Sequence, residues 1–231
     1  MSDESLFREV DEDIRREQLA KLWERFGTLI IAVSLLVILG VAGFKGWQYW
    51  QRVQNEAAAT RYFEALSLRE QGKAAESDAA LKEIGVGGHG GFATLARLQE
   101  AASLAEQGKA EDAVKAYDAI AADTSIAAEF RDLARIKAGY LVAGTASPEE
   151  LKTRLQSLDR PDSPWLNAVR ELKGTAAYRA GDYVEADRLM NEIIADPNAP
   201  QATRQRAQII VQLLAPLLSK RAEASNEPSG Q

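Results

Sequence analysis

The residue types that most enzymes use for chemistry are scarce in this chain. It has no cysteine and a single histidine, His89, which excludes disulfides, thiolate metal sites and multi-histidine centres. His89 lies in a glycine-rich stretch, Gly85–Gly91, whose composition suggests a phosphate-binding loop. The stretch lacks a Gly-Lys-Ser/Thr signature and follows no strand pattern, so a flexible joint between two helical hairpins is the better interpretation.

Paired carboxylates are the second candidate for chemistry. Glu111–Asp112 and Glu149–Glu150 both stand where helices are predicted to begin, and carboxylates there complement the helix dipole. The net charge of −6 also argues against the basic surface that a nucleic-acid-binding protein needs. The sequence therefore predicts a protein that is not an enzyme, with no cofactor, metal, small-molecule ligand or nucleic-acid partner.

An internal repeat organises the larger part of the chain. The pentapeptide Glu70–Ala74 returns unchanged as Glu106–Ala110, thirty-six residues later. Four glycines follow a near-constant interval, and each ends an alanine-rich stretch: Gly72, Gly108, Gly144 and Gly181. Glycine suits such a position because a helix often ends on a residue with positive φ. The pattern predicts an all-α solenoid of about four helical hairpins; the alternative is a non-repetitive alanine-rich bundle.

The clearest copy of the repeat, 174–197, resembles the tetratricopeptide repeat. It has a small residue in the middle of its first helix (Gly174), a Gly-Asp-Tyr turn, an early alanine in its second helix (Ala186) and a terminal Asp-Pro. Small residues at Gly174 and Ala186 are expected to let the two helices approach closely. The third copy departs most, because Lys137 stands where a small residue belongs, although Ser147–Glu150 still marks a helix start.

One segment is apolar enough to cross a membrane. Gly27–Phe44 contains eighteen consecutive uncharged positions, and as a helix it would span about 27 Å, close to the bilayer core. Aromatic residues typical of a membrane interface flank it: Trp23, Trp47, Tyr49 and Trp50. We interpret the segment as an uncleaved signal anchor; a buried core helix and a cleaved signal peptide are the alternatives.

The sequence also predicts the orientation and the domain boundaries. Five basic residues precede the segment and three follow within similar reach, which favours a cytoplasmic N-terminus. The predicted parts are a cytoplasmic tail (1–25), a transmembrane anchor (26–49), a repeat domain (50–219) ending in a covering helix from Gln201 to Ser219, and a disordered tail (220–231). Three glycines at every third position predict a helix-packing face within the membrane, unless they reflect only the general frequency of glycine in such helices: Gly40, Gly43 and Gly46.

Surface binding is the function that remains. Tetratricopeptide offsets, counted backwards from each turn glycine, place nine residues of this chain on a partner-binding groove: Tyr62, Leu66, Arg69, Leu95, Leu98, Arg131, Glu171, Thr175 and Tyr178. Such a groove would suit an extended apolar peptide or a helix of a partner. The alternative is that some of these residues form the core between hairpins.

The order of the parts resembles the YfgM-type ancillary subunits of the bacterial Sec translocon. The similarity rests on the membrane exit Gly46–Trp50, the helix start Gly91–Ala96 and the segment Ala122–Ser125. It implies a single-pass type II protein of the bacterial inner membrane with its repeats in the periplasm. It also implies partners, the SecYEG channel and a PpiD-like membrane-anchored chaperone, and a role in handing exported proteins onward. The alternative is a structural adaptor for another envelope machine, in cell division or cell-wall synthesis.

Overall fold

The computed structural model describes residues 3–87 and 90–226, and all regular elements in these ranges are helical. The helices are α1 (Asp3–Glu70), α2 (Ala74–Gly87), α3 (Gly91–Glu106), α4 (Ala110–Ala122), α5 (Ala128–Val142), α6 (Pro148–Leu155), a 3₁₀ turn (Gln156–Leu158), α7 (Leu166–Arg179), α8 (Tyr183–Ala195) and α9 (Gln201–Asn226). The predicted all-α hairpin array is confirmed. The chain divides into two compact units, residues 1–57 and 58–231.

In the first unit, the apolar segment lies within α1. Among the described residues, Phe26–Glu70 is the one helical stretch long and apolar enough to cross a membrane by length and composition. Only 6% of its most apolar window is buried. Large side chains such as Leu36 and Ile38 are exposed along it, so the first unit does not bury this segment.

In the second unit, three of the predicted turn glycines have the expected backbone. Gly72, Gly108 and Gly181 have φ values of 80°, 77° and 79°. In each turn the amide after the glycine donates to a carbonyl five residues back, for example Lys109 N to Leu104 O at 2.9 Å. These are Schellman caps, which pair carbonyls that a helix end leaves free.

Gly144 is different, and the prediction of a left-handed turn there was wrong. Left-handed glycines in the described residues are at other positions. The connection between α5 and α6 has five residues, 143–147, whereas each of the other hairpin turns has three. A longer connection reverses the chain without one left-handed residue. Here Ala146 N donates to Val142 O at 2.7 Å, and Ser147 caps α6 by accepting from Glu150 N at 3.2 Å.

The joint between α2 and α3 is shorter than the glycine-rich stretch, Gly85–Gly91, that was predicted to form it. Helix α2 continues to Gly87 and α3 begins at Gly91, so most of the predicted loop is helical; Gly88 and His89 lie outside the described residues. Gly85 packs directly on α3: a Cβ there would lie 3.0 Å from Arg97 Cγ. The glycine therefore permits close approach of two helices, a role that composition alone does not distinguish from flexibility.

Close packing of the two helices of a hairpin is confirmed in the fourth copy. A Cβ at Gly174 would lie 2.5 Å from Met190 Cε on α8, and Ala186 is fully buried. In the third copy Lys137 is exposed, and the close contact is made two positions later. There a Cβ at Gly139 would lie 3.4 Å from Leu155 Cδ2 on α6 of the same hairpin and 3.0 Å from Leu172 Cδ1 on α7 of the next one.

A repeated ion pair connects the first half of one helix with the C-terminal end of the next helix, from α3 to α4 and again from α7 to α8. Arg97 lies eleven residues before its turn glycine and donates to Asp123, fifteen residues after it, at 2.8 Å. Arg170 and Asp196 occupy the same two positions in the fourth copy, at 3.7 Å. The hydrogen bond from Arg97 is the largest cause that lowers the pKa of Asp123 to about 2. The pair therefore contributes to hairpin geometry in its ionised form.

The last helix is longer than predicted. Helix α9 continues to Asn226, seven residues beyond the expected end at Ser219. Alanine and charged residues in 220–226 are acceptable helix formers, so low apolar content alone does not end a helix. The predicted disordered tail, 220–231, thus begins inside α9, and 227–231 lie outside the described residues.

Candidate binding wall of the helical array

One side of the second unit is a row formed by the first helix of each hairpin. This row, here called the A wall, consists of residues 58–70 of α1 together with α3, α5, α7 and α9. Helix α3 contacts α5, α5 contacts α7, and α7 contacts α9; the rings of Tyr62 and Phe92 connect α1 with α3 at 5.8 Å between centroids. The second helices, α2, α4, α6 and α8, are called the B helices. First-helix rows of this kind form the extended binding surfaces of solenoid proteins.

An aromatic cluster lies at the N-terminal end of the A wall. Phe63 packs against Tyr62 at 5.7 Å and against Phe92 at 6.3 Å between ring centroids. Phe63 is 62% exposed, whereas Tyr62 is 9% exposed and its pKa is raised by burial. Half-buried Leu66 and Leu95 extend the same apolar surface. This end of the wall therefore presents an accessible aromatic ring supported by a packed apolar base.

A polar brace borders this aromatic cluster. Arg69 donates to Asp78 at 2.6 Å, to Ser103 at 2.7 Å and to Glu106 at 2.6 Å. Ser103 donates in turn to Asp78 at 2.7 Å. The guanidinium group thus joins α1, α2 and α3, and its charge is compensated within the array.

The middle of the A wall is closed by small and apolar side chains. Leu98 on α3 is 8% exposed, and Ala134 and Ala138 on α5 are fully buried in the same cluster. Arg131, at the start of α5, is half-buried. These side chains are therefore covered and offer little surface to a partner at this point of the wall.

The C-terminal end of the A wall is held by a buried carboxylate, Glu171. Tyr140 on α5 donates to Glu171 Oε2 at 2.8 Å, and Arg206 on α9 donates to both carboxylate oxygens, to Oε2 at 2.9 Å. Burial is the largest cause that raises the pKa of Tyr140 to about 12, followed by its bond to Glu171. Thr175 donates to the Glu171 backbone oxygen at 2.8 Å. Three successive A helices therefore meet at one charged group.

Comparison with known proteins identifies the array. A family model described as a tetratricopeptide repeat-like domain matches residues 20–212, well over half of the chain. The chain belongs to this tetratricopeptide repeat-like family. No curated protein and no solved structure matches it. Domains of this family are protein-binding scaffolds, and the matched range includes the apolar segment of α1 as well as the four hairpins.

The tetratricopeptide-like array divides the nine predicted groove residues into three groups. Tyr62, Leu98 and Glu171 are buried, which favours the alternative interpretation, core between hairpins, for these three. Arg69 and Thr175 lie on the wall with their polar atoms bonded inside the array. The others keep part of their surface: Leu66, Leu95, Arg131 and Tyr178, the last in ring contact with Tyr183 at 5.9 Å. Phe63, the most exposed apolar residue of the wall, was missed because it stands one position from the groove offset.

A second concave feature lies among the B helices and α5. A cleft of about 610 Å³ separates α4, α5 and α6, and charged groups line it. Arg154 bridges it by donating to Asp118, and Arg135 donates to Ala121 O at 2.9 Å. Within the described residues, no group of three or more His, Cys, Asp and Glu side chains is placed to hold a metal ion. Arg154 and Asp118 thus pair across the junction of α6 and α4, whereas Arg135 pairs with Asp132 on its own helix at 2.7 Å.

The residues predicted at the membrane interface are exposed in α1. Trp23, Trp47, Tyr49 and Trp50 have more than half of their surface accessible. A Cβ added at any of the three spaced glycines would meet no neighbouring atom: Gly40, Gly43 and Gly46. These surfaces are open for contact with lipid or with another helix.

Proposed function

We propose that this protein is a membrane-anchored tetratricopeptide-like scaffold associated with the Sec translocon, where it assists the transfer of exported proteins to periplasmic chaperones. The observation that supports the anchor is the exposure of Gly27–Phe44: eighteen uncharged residues with almost no burial inside the protein. Exposing so much apolar surface to water would be unfavourable, and a bilayer removes this cost. The aromatic residues on both flanks fit the interfaces of such a bilayer.

The proposed orientation places the N-terminus in the cytoplasm and the array in the periplasm of a bacterial inner membrane. Basic residues are more numerous before the segment than after it, as the positive-inside rule requires. The absence of cysteine suits an oxidising compartment without requiring one.

The proposed partners, SecYEG and a PpiD-like chaperone, follow from the resemblance to YfgM-type proteins. The A wall supports a binding role of this kind. Its N-terminal end offers the exposed ring of Phe63 beside half-buried Phe92, Leu66 and Leu95, a surface suited to an apolar segment of an unfolded chain or to a partner helix. Its C-terminal end is closed by the Glu171 cluster, so we expect contacts to concentrate on the first two hairpins.

The topology can be tested with single cysteines, because the chain has none of its own. Ser5→Cys lies before the apolar segment and Ser157→Cys lies in the array. A membrane-impermeant maleimide added to spheroplasts should label Ser157→Cys at once and Ser5→Cys only after permeabilisation. The reverse pattern, or labelling of both, would disprove the anchor orientation.

The partners can be tested by photo-crosslinking in vivo. A photoreactive residue at Phe63 or Leu95 should form crosslinks to SecY or to the isomerase-type chaperone, and one at exposed Lys152 on α6 serves as the matched control. Buried Tyr62 and Leu98 are unsuitable positions. Crosslinks to cell-wall synthesis or division proteins from the same positions, without SecY or the chaperone, would favour the adaptor function instead.

A further inference from the structure

Helix α9 is an A-wall helix whose second side is open. Helices α3 and α7 each pack between the preceding and the following B helix. Helix α9 packs on α8 and α7, and within the described residues no B helix follows it. Within the described residues, α9 therefore has one packing side occupied and one free.

The free side of α9 corresponds to the side on which α3 and α7 pack against the B helix that follows them in the chain. In α7, Leu172 packs toward α6, and Gly174, two residues later, faces α8. In α9, Ala207 packs against Met190 and Ile193 of the preceding B helix, α8, as Leu172 packs toward α6. Ile209, two residues after Ala207, is therefore the equivalent of Gly174 and faces the free side. Two residues turn an α-helix by about 200°. Gly174 therefore lies on the side of α7 opposite Leu172, and Ile209 lies on the side of α9 opposite Ala207.

The outward side of α9 is apolar at its centre. Ile209 is 57% exposed and Leu213 is 53% exposed, and Pro216, also exposed, continues the same stripe. Buried Leu214 on the opposite side belongs to the core with Ala177 and Ala186. Helices that end a solenoid normally have a polar outer face, so these aliphatic side chains indicate a contact surface.

Charge indicates what kind of helix fits this surface. From Gln201 to Ala222, α9 contains four cationic residues and no carboxylate, although the whole chain is acidic. One of the four, Arg206, is paired with Glu171, which leaves three cations for a partner. The chain's own B helices have the opposite character: α2, α4 and α8 each contain three carboxylates and one cation. The partners that A helices accept in this array are therefore mostly acidic amphipathic helices.

A second copy of α9 fits less well. A symmetric antiparallel contact centred on Leu213 would bring together two segments that both contain cations and no carboxylate, so it would gain no pair of opposite charges. Like charges that face each other across a helix pair are destabilising.

We propose that the outward face of α9, centred on Ile209 and Leu213, binds an acidic amphipathic helix of a partner protein at the place where a fifth B helix would pack. This surface is distinct from the aromatic N-terminal end of the A wall, and the proposal does not depend on the Sec association or on the anchor. It assigns the C-terminal end of the array a docking site that continues the solenoid in trans.

A binding titration tests the proposal with the full-length chain in detergent micelles. The probe is a fluorescein-labelled, hydrocarbon-stapled peptide with the α8 sequence 183–195, which supplies an acidic amphipathic helix of known packing. A control peptide replaces its three carboxylates by lysine. Protein variants are Ile209→Glu and Leu213→Glu, and Val184→Glu, an exposed aliphatic on α8, is the matched control. Circular dichroism verifies that each variant is folded.

We expect saturable binding of the acidic peptide that weakens as salt is added. Ile209→Glu and Leu213→Glu should each weaken it at least about tenfold, because each places a carboxylate in an apolar contact. Val184→Glu should leave it unchanged, and the lysine peptide should bind more weakly. The proposal would be overturned by absence of binding or by equal binding of both peptides. It would also be overturned by binding that survives Ile209→Glu, the result expected if the peptide exchanges with α8. So would sedimentation showing a dimer that Leu213→Glu dissociates.

Discussion

The ion pair between Glu171 and Arg206 should stabilise the attachment of α9 to the array, and replacing Arg206 by alanine tests this. The Glu171 side chain is 7% exposed and that of Arg206 is 50% exposed. Breaking a fully buried ion pair costs about 3–5 kcal/mol because one charge stays buried without its partner. Since half of the Arg206 side chain is exposed, water will enter the gap and reduce this cost, so we expect about 2 kcal/mol.

A double-mutant cycle separates the pair from other effects of each substitution. Glu171→Gln removes the charge but keeps a polar group near Tyr140, and we expect it to cost about 1–2 kcal/mol. Combined with Arg206→Ala, the loss should be smaller than the two single losses together by about 1 kcal/mol or more. Arg188→Ala is the matched control: its exposed bonds to Glu185 and Glu192 should contribute less than about 0.5 kcal/mol.

The assay uses the only tryptophan of the array. Trp165 packs against the core of the third hairpin, so its fluorescence reports urea unfolding of the full chain in micelles once the three α1 tryptophans are replaced by phenylalanine. Hydrogen exchange of α9 amides detects the case in which α9 detaches before the rest unfolds. If Arg206→Ala changes neither the unfolding free energy nor the α9 exchange, or if the two losses simply add, the pair does not hold the helix.

Three further predictions address the turns and the titrating groups. Gly108→Ala should destabilise the array by about 1 kcal/mol, because alanine is strained at φ +77°, whereas Gly144→Ala should be nearly neutral in the same urea titration. The raised pKa of Tyr140, about 12, means that folding favours its neutral form; stability should be complete below pH 10 and fall as the pH rises toward 12, and Tyr140→Phe should reduce this fall. The lowered pKa of Asp123, about 2, has the opposite sign: stability present above pH 4 should be lost as the pH falls toward 2, and Asp123→Asn or Arg97→Ala should flatten this acid dependence.

Much of the array could be predicted because its signals are local. A turn glycine and the helix patterns beside it depend on residues close in sequence, so Gly72, Gly108 and Gly181 were located with their backbone conformation. Gly144 has the same spacing but lies in a longer connection, and only the position of Pro148 hints at the extra residues. Spacing predicts that a turn exists, whereas loop length decides its geometry.

Packing partners were harder to predict because they depend on distant residues. Composition predicts that Gly85 belongs to a flexible loop, whereas in the structure it packs against Arg97 on the next helix. Lys137 occupies the expected small position of the third copy, yet Gly139 makes the close contact instead. A shift of two residues rotates a helix face by more than half a turn, and a single irregular copy offers no second example from which to correct the register.

The dependence of packing on distant residues also explains why only some of the predicted groove residues are accessible. Repeat offsets identify which side chains belong to the A wall, but exposure depends on how closely neighbouring A helices approach. Leu98 is covered because small alanines on α5 allow that helix to move in. Glu171 is covered because α9 supplies Arg206, a residue thirty-five positions away that no offset rule connects with it. Accessible apolar surface remains at the N-terminal end of the A wall, where Phe63 is 62% exposed. This is why Phe63, although outside the offsets, is the position from which we expect to find a partner.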